Sequence, residues 1–188
     1  MIRKKDENMD LMKAIKTRRS IRKYSTEQVS NIDLEDIVEL ASYSPSWKNS
    51  QTVGYVIIRD HDLLNRIAEE GVMGFTHNTG IIKNCQALVV LTTIKGHCGY
   101  EKDGSFSTKK KDGWEMFDAG VAAQTFQLAA HGKGIGSVVL GIFDEDYIAD
   151  AIQLEAEKKI SALIAVGYPA EDPNTPKRKP VSELVRFI

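Results

Sequence analysis

The sequence predicts a single domain built on a β-sheet with helices on both faces. Three observations point there. Helical segments outweigh strands along the chain, and three of the four strand candidates are continuous apolar runs without polar alternation. A strand that is apolar on both sides needs cover on both sides, and helices supply it. The third observation is size: 188 residues suffice for one well-buried domain and are too few for two ordinary ones. Residues 1–188 are therefore read as one unit, with 169–188 as an extended arm.

The elements follow in order. A short amphipathic helix begins near Asp10, carrying Leu11, Met12 and Ile15, and gives way to Ser20-Ile21-Arg22-Lys23-Tyr24. Leu34, Ile37, Val38, Leu40 and Ala41 repeat at helical spacing behind Asp33, whose charge suits a positive helix N-terminus. Pro45 and its small polar neighbours make 44–51 a loop. Tyr55–Ile58 reads as a buried strand, and Leu63, Leu64, Ile67 and Ala68 mark a helix that Gly71 can end. Ala87–Ile94 is a second buried strand. The polar Lys95–Gly113 stretch predicts a mobile excursion of the kind that serves as a modest lid. A long helix runs from Trp114 to about His131, with Ala119, Gly120, Ala122 and Ala123 small enough for a second helix to approach closely. Gly134–Leu140 enters a strand, Tyr147–Leu154 is a helix, and Ile160–Tyr168 is the fourth strand.

The last segment is different. Four of the five prolines, Pro169, Pro173, Pro176 and Pro180, follow that strand, so an extended arm is expected there. It ends in Val181, Leu184, Val185, Phe187 and Ile188, which need a surface to bury against. A second subunit supplies one, and so does a tail folded back on its own domain.

Composition excludes several classes. With 42% hydrophobic and 27% charged residues the chain has the balance of a folded protein, not a disordered one. A formal net charge of -1 leaves no global field for nucleic acid or an anionic membrane, so neither is an expected partner. The sequence has no apolar stretch of signal-peptide or membrane-span length, which makes the cytoplasm the expected location. Cys85 and Cys98 are too few for a disulfide scaffold or a structural zinc site. His61, His77, His97 and His131 lack ligand spacing, so no metal is expected, and His97-Cys98 is weak ground for a redox pair.

Two segments could carry chemistry. Arg18, Arg19, Ser20 and Arg22 place three guanidiniums and a hydroxyl at a helix end. Guanidinium matches phosphate oxygens in a bidentate fork, and each charge-assisted bond is worth about 1.5–3 kcal/mol. The alternative is basic residues complementing a helix C-terminus, worth about 0.3–1 kcal/mol. In 44–51, Ser46, Asn49 and Gln51 offer hydrogen bonds beside the flat face of Trp47, a mixture that suits an aromatic heterocycle with a polar edge. It equally suits an ordinary connection. Gly132, Gly134 and Gly136 follow a helix and open a strand, the reverse of a dinucleotide fingerprint, so Gly132 and Gly134 read as a helix cap and turn.

Taken together, Arg18–Tyr24, Ser44–Gln51, the helix opened by Asp118-Ala119-Gly120, Gly134-Ile135-Gly136-Ser137 and Lys177-Arg178-Lys179-Pro180 resemble the nitroreductase family of FMN enzymes. The likeness spans nearly the whole chain after Asp10. It implies an α+β fold with a central mixed sheet flanked by helices, and a homodimer that exchanges its C-terminal arms. It also implies FMN at the subunit interface. Arg18, Ser20 and Arg22, with Arg19 through its backbone, would hold the phosphate and ribityl end, joined by Arg178 or Lys179. Pro45, Ser46, Trp47 and Asn49 of the other subunit would line the ring, with Gln51 reaching it more weakly. Val139, Leu140 and Gly141 would pass beneath the isoalloxazine, the Gly141 amide near N5, and Asn78 would meet the pyrimidine edge. No side chain is nominated as acid or base. The implied activity is ping-pong transfer from NADH or NADPH to a small electron-poor acceptor. The alternatives are a flavin-binding sensor or storage module without efficient turnover, and a phosphate-ester binder without flavin. One departure stands out: Thr52-Val53 occupies the place where the family often has Pro-Trp, which alters the packing beneath the loop.

Overall fold

In the computed structural model, which describes residues 9–188, helices α1 (Leu11–Thr17), α2 (Asn31–Ser42), α3 (His61–Glu70), α4 (Thr76–Asn84), α5 (Gly113–Gly132) and α6 (Glu145–Ala151) surround four strands, β1 (Val53–Ile58), β2 (Ala87–Ile94), β3 (Gly136–Leu140) and β4 (Lys158–Gly167). The strands form one sheet in the order β1-β2-β4-β3. Pairing is antiparallel along every ladder. The expected mixed sheet is corrected on this point, since among the described residues parallel pairing occurs only at the isolated Ser20–Ser137 bridge.

Two apolar layers explain why β2 reads as a continuous run. Leu88 and Val90 face one layer with Leu64 and Ile67 of α3, Ile81 and Ile82 of α4, and Ile148 of α6. Ala87, Val89 and Leu91 face the other with Leu34 and Ile37 of α2 and Ala119, Ala123 and Phe126 of α5. Residues alternate across the sheet plane, so both parities must be apolar when both faces are covered. Each fully buried Val, Leu or Ile contributes about 1.5–3 kcal/mol. The small residues of α5 do admit a neighbour, and that neighbour is α2.

The helices start where the caps direct. Asp10, Ser30, Asp60 and Asp144 each accept from the amide three residues on, opening α1, α2, α3 and α6. Three readings need correction. The helix expected at 147–154 runs from Glu145 to Ala151, because Asp144 supplies its cap. Gly132 is the last helical residue of α5 instead of its cap, and Gly134 at φ +74° makes the left-handed turn into β3. The 95–113 segment is not an open excursion at its start. Cys98 is fully buried, Glu115 Oε1 accepts the Gly96 amide at 2.7 Å, and Trp114 Nε1 donates to Thr108 Oγ1 at 2.8 Å.

Candidate active site

Two glycines seat the basic segment. A Cβ on Gly136 would lie 2.7 Å from Ile21 Cγ1, and one on Gly167 would lie 2.8 Å from Tyr24 Cδ1. The segment after α1 therefore lies flush against β3 and β4, with the Ile21 amide on the Ser137 carbonyl at 3.1 Å. Buried Tyr24 adds its hydroxyl to the Ile21 and Ala165 carbonyls at 2.5 and 3.0 Å, and burial pushes its pKa far up. The tail closes the other side. Glu171 Oε1 accepts the Arg22 and Lys23 amides at 2.6 and 3.2 Å, and the Ala170 amide bonds to the Lys23 carbonyl at 2.9 Å.

On this frame three guanidiniums converge from two distant parts of the chain. Burial, and then the charges of Arg19 and Arg178, push the Arg18 guanidinium below its usual value. His131 at the end of α5 joins them, with Nε2 2.8 Å from Thr17 Oγ1. Its pKa is lowered by burial first and then by Arg18 and Arg19. Arg19 differs from Arg18, since its side chain donates to the Lys16 and Arg18 carbonyls at 2.8 Å and to Thr175 Oγ1. For Arg19 the helix-end reading holds. Lys179 is exposed, 4.0 Å from Glu183.

Arg22 lies on the wall of a cleft of about 190 Å³ that also takes in Asn78, Val139, Leu140 and Gly141. Buried Asn78 donates its Nδ2 to the Ile142 carbonyl at 2.9 Å, which fixes the turn after β3. α4, which carries Asn78, was missed in the sequence: its start at Phe75 has no side-chain cap, and Gly80 interrupts it. A Cβ on Gly141 would meet no atom of the chain within 4 Å, so packing within the protomer does not demand glycine there.

The 44–51 residues form a second cluster. Pro45, Ser46 and Gln51 line another cavity of about 190 Å³, with no residue in common with the first. Trp47 packs on Trp114 with ring centroids 4.8 Å apart, and its buried Nε1 has no hydrogen-bond partner. Lys48, Asn49 and Gln51 all have positive φ, between 47° and 55°. Cys98 lies beneath this loop, its thiol raised by burial and by its bond to Asp118. His97 turns away to the Lys95 carbonyl at 2.9 Å, so the pair suggested by adjacency does not form. Glu171 carries no signal in the sequence, and Asp118, Cys98 and His131 are read there without a role at this site; a carboxylate among the small apolar residues of α5 was the available signal.

The donor set fits a phosphomonoester carrying a flat heterocycle. Guanidiniums gather at one end, and a cleft with exposed backbone at Gly141 opens at the other. The single chain presents the 44–51 residues on a separate cavity. Among the described residues no helix is long and apolar enough to cross a membrane, and no group of three or more His, Cys, Asp or Glu side chains could hold a metal.

Comparison with known proteins identifies the family. The profile of the nitroreductase family matches residues 15–80 and 75–168. A Methanothermobacter thermautotrophicus protein provisionally named NADH dehydrogenase/NAD(P)H nitroreductase is 30% identical over 89% of this chain and 81% of its own. A nitroreductase-like protein from Desulfovibrio desulfuricans, solved in complex with FMN, superposes with a TM-score of 0.76 at 27% identity, covering 97% of this chain and 98% of its own. A Streptococcus pneumoniae nitroreductase family protein shares the fold, with a TM-score of 0.83 at 20% identity over 95% of this chain and all of the other. The chain belongs to the nitroreductase family.

Proposed function

We propose that this protein is an FMN-dependent NAD(P)H oxidoreductase that works as a homodimer. The observation that carries the reading is the convergence of Arg18, Arg19 and Arg178 at the end of a segment whose Arg22 borders the cleft beneath β3. Arg18, Arg178 and the Ser20 hydroxyl hold the phosphate, with Lys179 adding charge and Arg19 contributing its backbone amide. Arg22 and Asn78 border the ribityl and pyrimidine end, and Val139, Leu140 and Gly141 support the ring, with the Gly141 amide as donor. Pro45, Ser46, Trp47, Asn49 and Gln51 come from the second subunit. FMN, when bound, would supply two-electron chemistry between NADH or NADPH and a small electron-poor acceptor such as a nitroaromatic, quinone, enone or flavin, in a ping-pong cycle. The protein's part is to place positive charge at the phosphate and a fixed amide dipole at the ring.

Dimerisation is supported by the arm. Up to Thr175 it is tied to its own domain, whereas Val181, Leu184 and Phe187 lie exposed, Phe187 at 90%. Exposed Leu11, Met12, Ile15 and Phe117 add to the apolar surface a partner would cover. The free, buried Cys85 and Cys98 fit a reducing compartment such as the cytoplasm. The test is steady-state oxidation of NADH or NADPH with a nitrofuran or a quinone. Turnover well above that of free FMN is expected. A protein that binds FMN without turnover above free FMN would be a sensor or storage module, and the enzymatic reading would fall.

A further inference from the structure

We propose that Asp118 is the positioning residue of the 44–51 loop and acts jointly with the Cys98 thiol, an inference that rests on the flavin reading above for the loop's role in turnover. The loop holds an unfavourable shape. Lys48 (φ 47°), Asn49 (φ 55°) and Gln51 (φ 51°) all occupy the left-handed region, which side chains other than glycine rarely adopt. Such a shape persists only where its surroundings enforce it.

Apolar packing reaches the loop at Trp47, whose ring centroid lies 4.8 Å from that of Trp114, while another side of the loop is open. A cavity of about 190 Å³ lies beneath the loop, bounded above by Pro45, Ser46 and Gln51 and below by Val53 and Tyr55. Polar bonds add to that packing: Ser44 Oγ donates to Thr125 Oγ1 at 2.8 Å, and Trp47 and the end of the loop reach one carboxylate. Asp118 Oδ2 accepts the Trp47 amide at 2.8 Å and the Cys98 thiol at 2.9 Å. The same sulfur lies 3.2 Å from Ser50 Oγ and 3.3 Å from Thr52 Oγ1. One oxygen thus ties Trp47 directly and the end of the loop through a thiol. Ser46 Oγ closes the loop on itself by accepting the Gln51 amide at 3.0 Å.

The placement of Asp118 is costly unless it does this. Its side chain is only 3% exposed and sits on the α5 face that carries Ala119, Ala122, Ala123 and Phe126. A carboxylate removed from water must be hydrogen-bonded to be tolerated. The donors it takes are an amide and a thiol, both from the elements that shape the loop.

The test uses the full-length chain in two forms. In apo-protein, amide hydrogen exchange at Trp47–Gln51 should quicken at least tenfold in Asp118→Ala and stay unchanged at Ile21–Tyr24. Asp118→Asn keeps an acceptor for the Trp47 amide and should restore most of the protection. In the FMN-loaded enzyme, Asp118→Ala should lower kcat/KM at least tenfold while FMN affinity falls less than it does in Arg18→Ala, since the arginine cluster is untouched. Unchanged exchange at Trp47–Gln51 would overturn the proposal. So would faster exchange spread along α5 and Ile21–Tyr24 with FMN lost in step with stability, because that is the mark of a general packing role. If wild-type protein takes up no FMN, the flavin reading fails, while the exchange contrast at Trp47–Gln51 still decides the positioning role.

Discussion

The segment Ser20–Tyr24 and the loop 44–51 are held in opposite ways. The first is seated by close packing: Ile21 and Tyr24 fill spaces that only the glycines at 136 and 167 leave open, and Glu171 covers the exposed side of the backbone. The second arches over a cavity, carries three left-handed residues without glycine, and depends on hydrogen bonds to Asp118, Cys98 and Ser46. A phosphate anchor gains from rigidity, because guanidiniums fixed in advance lose little entropy on binding. A surface that must admit two different substrates in turn gains from a shape that can yield. On the proposed reading, the site would have a stiff end for the cofactor's charge and a hydrogen-bonded end for exchange.

The largest expected effect comes from removing both supports of the stiff end at once. Truncation after Pro169 deletes Glu171, Thr175, Arg178 and the apolar tip, and should leave monomers or aggregates that retain no flavin. Size-exclusion chromatography with absorbance detection checks it, and an intact flavin-loaded dimer would contradict the arm. Arg18→Ala comes next. Losing one charge-assisted hydrogen bond costs about 1.5–3 kcal/mol, roughly a tenfold to hundredfold weaker FMN Kd, while apo-protein melting changes little. Calorimetric titration reads the first and a thermal melt the second.

Gly167→Ala tests the packing directly. A methyl 2.8 Å from Tyr24 Cδ1 overpacks a buried contact, which costs about 1–3 kcal/mol. At this chain length that lowers Tm by roughly 2–4 °C per kcal/mol. An unchanged Tm would mean that the segment yields easily. The smallest effect is a pH dependence. Burial and the neighbouring Arg18 and Arg19 hold the His131 pKa below 6.5, so the unfolded chain takes up its proton first as pH falls. This residue contributes no penalty well above pH 6.5 and destabilises the fold progressively as pH drops below it. In His131→Gln that part of the acid loss in Tm should vanish, and a mutant with the same pH profile as wild type would remove His131 from the cluster.

The parts of this molecule that could be read in the sequence are those fixed by local pattern. β2 was legible to the residue because Ala87–Ile94 is apolar at every position until Thr92, and Asp10 announced α1 because a carboxylate before an apolar repeat is a cap. The order of the basic segment, the loop and the C-terminal basic cluster was legible as a resemblance. What was not legible depends on contacts distant in sequence. α4 lacks a side-chain cap, and Gly80 breaks its pattern. The antiparallel sheet could not be told from a mixed one, because two-sided burial yields the same apolar runs either way. The role of Asp118 exists only where the fold brings Trp47, 71 residues away, to 2.8 Å.

If Arg18 and Arg178 grip a phosphate and a flavin ring leaves that grip toward β3, the phosphate must carry a large share of cofactor affinity. Titration of the purified apo-protein with FMN and, separately, with riboflavin, followed by visible absorbance, tests it most directly. FMN should bind at least roughly tenfold tighter than riboflavin, the difference collapsing in Arg18→Ala. Equal affinity for the two flavins, or no uptake of either, would contradict it.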